Sequence, residues 1–132
     1  MKLDRRLTAK KLTPATARGL DLTARKIYDL DKKWDPAKGT PVFTWEGRYT
    51  TRGWTEWTQG FQYGCAILQY DMTGDSRFLD IGREKTVSHM APHVSHIGVH
   101  DHGFNNLSTY GNLRRLMPVS YTHLTLPTNR EV

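Results

Sequence analysis

Hydrophobic residues recur along this chain mainly at the three- and four-residue spacing of amphipathic helices. The first such stripe contains Leu20, Ala24 and Ile27, and it continues to the polar position Asp31. The pair Thr13-Pro14 ahead of it is typical of a helix start, with Thr as the cap and Pro in the first turn. We therefore predict a helix over residues 14–33, ended by Asp35-Pro36 and preceded by a frayed leader over residues 1–12.

Two further helices are predicted in the middle of the chain. The stripe of the first, over residues 58–73, comprises Phe61, Cys65, Leu68 and Met72. The second, over residues 76–90, is expected to bury Phe78, Leu79, Ile81 and Val87. Thr73-Gly74-Asp75 between them supplies a glycine to end one helix and an aspartate to cap the next, which predicts an antiparallel hairpin. Cys65 is expected to be a small buried hydrophobe.

The segments around these helices carry turn-forming residues. Residues 35–56 are rich in glycine, with β-like pieces at 42–44 and 49–51, and this favours a structured loop or a small hairpin. A histidine-rich loop follows Pro92, and a last helix is expected to start near Asn106 or Ser108 and end at Pro118. The predicted fold class is therefore all-α, built from helical hairpins.

Composition argues against two classes of partner, nucleic acids and membranes. The chain has 132 residues and a net charge of +6, but its basic residues are scattered and no stacking aromatics lie among them. A solvated helix face and a loose terminus explain this charge better than nucleic-acid binding. The sequence contains no uninterrupted run of about 18 apolar residues, so no membrane span is expected.

The end of the chain has a different character. Residues 119–128, Val-Ser-Tyr-Thr-His-Leu-Thr-Leu-Pro-Thr, show no helical period. The codons GTC TCT TAT ACA CAT CTG ACG CTG CCG ACG encode these residues, and that DNA is a transposon-end adapter used in library preparation. Residues 119–132 are therefore interpreted as an adapter-derived tail, and residues 1–118 as a truncated domain.

An aromatic block, residues 53–61, is the first candidate for chemistry. Its tryptophans Trp54 and Trp57 are flanked by threonine, glutamate and Gln59. Indole rings pack on the apolar face of a sugar while polar neighbours bond its hydroxyl groups, so the block is suited to carbohydrate binding. The alternative is that the two tryptophans cover the start of the helix.

A second candidate is the cluster of five histidines His89, His93, His96, His100 and His102. The first four are spaced four, three and four residues apart, which suits zinc ligands on one helix, but Pro92 and Gly98 argue against a single helix. We therefore favour hydrogen-bonding and packing roles over a metal site. Asp101 lies inside this cluster and is a candidate acid–base group, although ordinary loop packing explains it equally well.

Three blocks together resemble a known family. They are Trp57-Thr58-x-Gly60-Phe61-x-x-Gly64, Leu68-x-Tyr70-x-x-Thr73-Gly74-Asp75-x-x-Phe78-Leu79 and His100-Asp101-x-Gly103-Phe104. In order and spacing, these blocks are similar to the N-terminal third of the family 88 glycoside hydrolases, the unsaturated glucuronyl hydrolases. The resemblance implies a barrel of six helical hairpins, no metal or organic cofactor, and an oligosaccharide substrate with a 4,5-unsaturated uronic acid at its non-reducing end.

The same resemblance implies roles for individual residues. Asp101 matches one of the family's two key aspartates, His100 matches the neighbouring histidine, and Trp57 matches the aromatic of the sugar subsite. The second aspartate, usually taken as the proton donor, is expected beyond residue 118, so the fragment itself is expected to be inactive. Position 102 is His instead of the usual Leu, and Asn105-Asn106 replace an apolar pair. The alternatives are an unsaturated rhamnogalacturonyl hydrolase, a sugar epimerase or a glycan-binding module.

Overall fold

The computed structural model describes residues 6–117, which are mostly helical with one small two-stranded sheet. The helices are α1 (Ala9–Lys33), α2 (Thr58–Thr73), α3 (Ser76–His89), α4 (Pro92–Ser95), α5 (His102–Asn106) and α6 (Asn112–Leu116). The strands are β1 (Thr40–Trp45) and β2 (Arg48–Arg52). The largely helical fold class is confirmed, while the barrel stays a proposal. The adapter-derived tail, residues 119–132, lies outside the described residues.

Helix α1 belongs to a compact unit that ends at Lys33. Its predicted end is confirmed, but its predicted start is wrong. Thr8 begins the helix by accepting a hydrogen bond from the Lys11 backbone N–H at 3.3 Å, while Thr13 donates its hydroxyl to the Ala9 carbonyl. Pro14 therefore lies inside the helix, where it removes one backbone hydrogen bond but leaves the rest of the ladder intact.

The second unit begins at Trp34, and the strand hairpin lies near its start. Glu46 and Gly47 both have positive φ angles, of 49° and 74°, as a tight two-residue hairpin turn requires. The indole N–H of Trp34 donates to the Gly39 carbonyl at 3.0 Å, and its ring meets Tyr49 edge-on. The predicted hairpin is thus confirmed, and Trp34 packs against it.

Helices α2 and α3 form the predicted antiparallel hairpin. Gly74 adopts the left-handed conformation that ends α2, and the Asp75 carboxylate accepts from the Arg77 N–H to cap α3. The pairing runs in opposite directions, since Tyr63 stacks on His89 while Ile67 lies against Gly82 nearer the turn. The core of this unit consists of Tyr63, Ile67, Met90, Tyr110 and Leu113.

The face of α2 that packs inward is not the predicted one. Its buried residues include Gly60, Tyr63, Gly64 and Ile67, whereas the predicted stripe of Phe61, Cys65, Leu68 and Met72 is exposed. The reason is steric: the two glycines let the chain after Asp101 lie directly against α2, which side chains would prevent. Phe78 is buried on α3 as predicted, but Val87 is 55% exposed.

The last helical segment starts earlier than predicted, at His102 instead of Asn106 or Ser108. It continues through a π-helical turn, Leu107–Gly111, into α6. Asn105 and Ser108 on this segment face Gly60 and Gly64 of α2. The segment from Asp101 to Leu116 therefore packs along the glycine face of α2.

Among residues 6–117, none of the helices is both long enough and apolar enough to cross a lipid bilayer.

Replacing Gly60 by Ala should destabilise the second unit by about 3 kcal/mol, because the new methyl group would overlap the backbone of Asn105. Urea denaturation followed by far-ultraviolet circular dichroism measures the loss. Gly53→Ala is the matched control, since nothing lies within 4 Å of its Cβ position, and it should change stability by less than about 0.5 kcal/mol. Equal stability of the two variants would contradict this packing.

Candidate functional site

Asn105 is the centre of a polar site where the first turn of α2 meets α5. Its side-chain oxygen accepts from the Gly60 backbone N–H at 2.7 Å, and its amide N–H group donates to the Glu56 carbonyl at 3.2 Å. The residue is fully buried, and its amide nitrogen also lies 3.3 Å from Nδ1 of His93. One side chain thereby joins the aromatic block, helix α2 and the histidine loop.

Three imidazoles, those of His93, His96 and His102, form what we call the histidine triad. Nδ1 of His93 lies 2.9 Å from Nδ1 of His102, and Nε2 of His102 lies 2.8 Å from Nδ1 of His96. At the inner end, Nε2 of His93 lies 2.8 Å from the side-chain oxygen of Gln59. His93 and His102 are buried, whereas His96 is exposed. The triad therefore connects the protein interior with the surface.

Trp54 packs on all three members of the triad. Its ring stacks on His102 at 5.7 Å with an interplanar angle of 13°, and it meets His93 and His96 edge-on at 5.3 and 5.1 Å. Trp54 is nevertheless 42% exposed. One face of the indole thus covers the histidines while part of the ring remains open to a ligand.

Burial determines the charge state of the inner histidines. Desolvation, together with like-charge repulsion from His102 and His96, lowers the pKa of His93 to about 4. Desolvation also lowers the pKa of His102, helped by His96 and opposed by the carboxylate of Asp101. The interior of the site is consequently neutral at physiological pH.

Asp101 directly precedes α5, beside the triad. Its carboxylate lies 2.9 Å from Nε2 of His100, and its side chain is 27% exposed. Although Asp101 occupies the cap position of α5, its side chain makes no capping hydrogen bond. The carboxylate is therefore half-buried, reachable from solvent, and not engaged in holding the helix end.

A second aromatic group joins the start of α2 to α5. Trp57 meets Phe61 edge-on at 5.2 Å, and Phe61 lies 6.4 Å from Phe104. These three rings are 44%, 41% and 52% exposed. We refer to these three rings and Trp54, which stacks on His102, as the exposed aromatic surface.

The site residues predicted from the sequence differ in their exposure to solvent. Trp54, Trp57, His100 and Asp101 are exposed or half-buried around the start of α5. Gln59 is only 7% exposed and bonds His93, so it supports the triad from inside. Sequence reasoning missed Asn105 as the central residue, and its only signal was an amide pair where the family has apolar residues.

The histidine triad lacks the geometry of a metal centre. No group of three or more His, Cys, Asp or Glu side chains in the described part of the chain could hold a metal ion. His102 uses one ring nitrogen toward each neighbour, so the three imidazoles do not converge on one point.

Acid should destabilise the second unit because His93 is buried in its neutral form. Its pKa is about 4 when folded and near 6.5 when unfolded, so the unfolded chain binds the extra proton between these values. Stability is complete above about pH 6.5 and should fall by about 3 kcal/mol as the pH approaches 4. Urea denaturation at a series of pH values measures this loss.

Two comparisons separate the contribution of His93 to this loss of stability from those of other titrating groups. Arg115 and Arg77 lower the pKa values of Asp71 and Asp75 below 3.8, so those carboxylates lose their stabilising charge only at lower pH. His93→Gln should be less stable at neutral pH but should show a smaller loss between pH 6.5 and 4, whereas exposed His100→Gln should keep the full loss. A flat stability profile in the unmodified protein would refute neutral burial of His93.

No family model matches the chain, and neither the curated proteins nor the solved structures include a match. The family resemblance of this site is therefore carried by its motif residues alone.

Proposed function

We propose that this chain is part of a glycoside hydrolase that acts on oligosaccharides with a 4,5-unsaturated uronic acid at the non-reducing end. The observation that carries the proposal is the position of Asp101. Its carboxylate is half-buried, bonded to His100 and unused as a helix cap. It lies in the block His100-Asp101-x-Gly103-Phe104, which resembles the family's catalytic block.

The exposed aromatic surface supports a sugar ligand. Trp54 and Trp57 are both partly exposed, and Phe104 lies one helical turn beyond Asp101. Aromatic rings pack on the C–H faces of sugars, while carboxylate and imidazole groups bond the hydroxyls. Asp101 and His100 supply both kinds of group next to the rings.

The proposed reaction hydrates the vinyl ether of the unsaturated uronide. An acid adds a proton to C4, water adds to C5 as it loses a proton to a carboxylate, and the resulting hemiketal opens to release the remaining sugar. Asp101 would contribute one carboxylate of the pair, held and oriented by His100. A second aspartate, expected beyond residue 118, would supply the proton.

The exposed stripe of α2 supports a larger barrel. Phe61, Leu68 and Met72 are 41–61% exposed and lie on one side of a helix whose other side is the core. A barrel of helical hairpins would cover such a face with a neighbouring hairpin. We expect the 132-residue chain by itself to be inactive, because it would lack both that packing and the second aspartate.

A glycan-binding module without catalysis is the second candidate, and the exposed aromatic surface favours it independently of Asp101. The two functions differ in ligand preference. A hydrolase of this type should prefer the unsaturated sugar, whereas a module should bind a saturated disaccharide equally well. Related barrel enzymes, such as an unsaturated rhamnogalacturonyl hydrolase or an epimerase, would differ in the sugar they convert.

The test uses the gene product completed from genomic DNA. It should consume an unsaturated glucuronyl disaccharide, measured as loss of the double bond's ultraviolet absorbance, while the 132-residue chain should not. Asp101→Asn should lower kcat by roughly 10² to 10⁴, as expected for the loss of an acid–base carboxylate, with the fold unchanged.

The matched control is Asp80→Asn, which removes an exposed carboxylate on α3 and should leave kcat unchanged. Turnover by the 132-residue chain would contradict the proposed truncation. Absence of turnover by the completed protein, or normal turnover by Asp101→Asn, would contradict the proposed activity.

A further inference from the structure

The histidine triad forms a continuous series of hydrogen bonds from the surface to the interior. The series runs from His96 through His102 and His93 to Gln59, with successive separations of 2.8, 2.9 and 2.8 Å. A neutral imidazole has one nitrogen that donates and one that accepts. A histidine with a histidine on each side can therefore receive a proton at one ring nitrogen while it passes another on from the other.

The direction of these bonds is determined by Asn105. Its oxygen faces the Gly60 N–H and its amide nitrogen faces the Glu56 carbonyl, so the orientation of the amide group is fixed. The amide nitrogen is then a donor 3.3 Å from Nδ1 of His93, and this favours Nδ1 as an acceptor, which it also is for the shorter bond from His102. The proton of His93 consequently lies on Nε2, where the Gln59 oxygen accepts it.

The two outer histidines follow from this assignment. Nδ1 of His102 must carry a proton to donate to His93, and this leaves Nε2 of His102 as an acceptor. Nδ1 of His96 must then carry the proton that His102 accepts. Nε2 of His96 is left with its lone pair at the exposed end of the series.

We infer that the histidine triad is a proton-transfer site whose entrance is Nε2 of His96. A proton taken up there makes His96 an imidazolium, which passes its Nδ1 proton to Nε2 of His102. His96 is then neutral with its proton on Nε2, and His102 carries the charge beneath the stacked ring of Trp54. This inference does not depend on the proposed hydrolase activity.

The surroundings of the triad favour the uptake of one additional proton over the uptake of two. His93 and His102 repel each other when charged, so two protons are unfavourable. The carboxylate of Asp101, itself paired with His100, favours a positive charge on His102. The remaining polar neighbours, Gln59, Asn105 and the Glu56 carbonyl, are neutral, and Gln59 ends the series because an amide oxygen passes no proton onward.

The position of the triad would place this proton next to a bound ligand. His102 follows Asp101 directly, and Trp54 covers the triad with its exposed edge toward solvent. A ligand lying on Trp54 would be next to a group that can release or accept one proton. His102 and Asn105 are also the positions at which this chain departs from the family pattern, so the relay would be particular to this protein.

The test is long-range ¹H–¹⁵N correlation on the histidine-labelled 132-residue chain. At neutral pH we expect His96 and His102 with the proton on Nδ1, the less common form in solution, and His93 with the proton on Nε2. On acidification, the uptake of the first proton should shift the signals of His96 and His102 together, because that proton belongs to the pair. Protons on Nε2 of all three, or separate transitions for His96 and His102, would overturn the relay.

One variant removes the group that takes up the proton at the surface but keeps the hydrogen-bond donor to His102. In His96→Asn the amide nitrogen takes the place of Nδ1 and still donates to His102, but the side chain cannot carry a proton. The shared transition should disappear, and His102 should titrate independently of position 96. His100→Asn, outside the triad, should leave the shared transition in place.

A zinc titration followed by the same spectra excludes the competing site. We expect no stoichiometric change at the three imidazoles on addition of Zn²⁺. Tight one-to-one binding, with the three rings shifting together, would replace the relay by a metal centre.

Discussion

Close contact between Asn105 and Gly60 is the constraint on which the rest of the second unit depends. No side chain fits between the two backbones at this point, so α5 lies directly against α2. At this short distance, one amide side chain satisfies the Gly60 N–H and the Glu56 carbonyl at once. The positions of the triad, Asp101 and the aromatic rings relative to one another follow from this contact.

The buried polar groups of this site stabilise the fold only because they are hydrogen-bonded to one another. A buried histidine or asparagine without partners would be costly, but within this site each inner ring nitrogen has a hydrogen-bonding neighbour. His93 and His102 are neutral within this network, since desolvation lowers the pKa of both buried histidines. The network also leaves Asp101 as the carboxylate beside an otherwise neutral interior, a setting in which a single charge has large effects.

The exposed aromatic and aliphatic side chains form two surfaces that meet at Phe61. Trp54, Trp57 and Phe104 are partly exposed, and Trp54 stacks on His102, the residue after Asp101; such rings suit a ligand with apolar faces and polar edges. Leu68 and Met72 lie farther along α2 without such polar neighbours in their stripe, and suit packing against another helix. We therefore assign sugar binding to the first surface and barrel packing to the second.

The sequence by itself determined the local elements, because their causes are local. The turn at Gly74-Asp75, the ends of α1 and α2 and the strand hairpin follow from residue types that act over a few positions. Tertiary structure decided which side of α2 is buried, since hydrophobic spacing favoured Phe61 while the close approach of Asn105 required Gly60. It also decided the role of the histidines. Residues 34 positions apart, Gln59 and His93, become hydrogen-bonding partners only when the two segments pack together, and no local spacing encodes that contact.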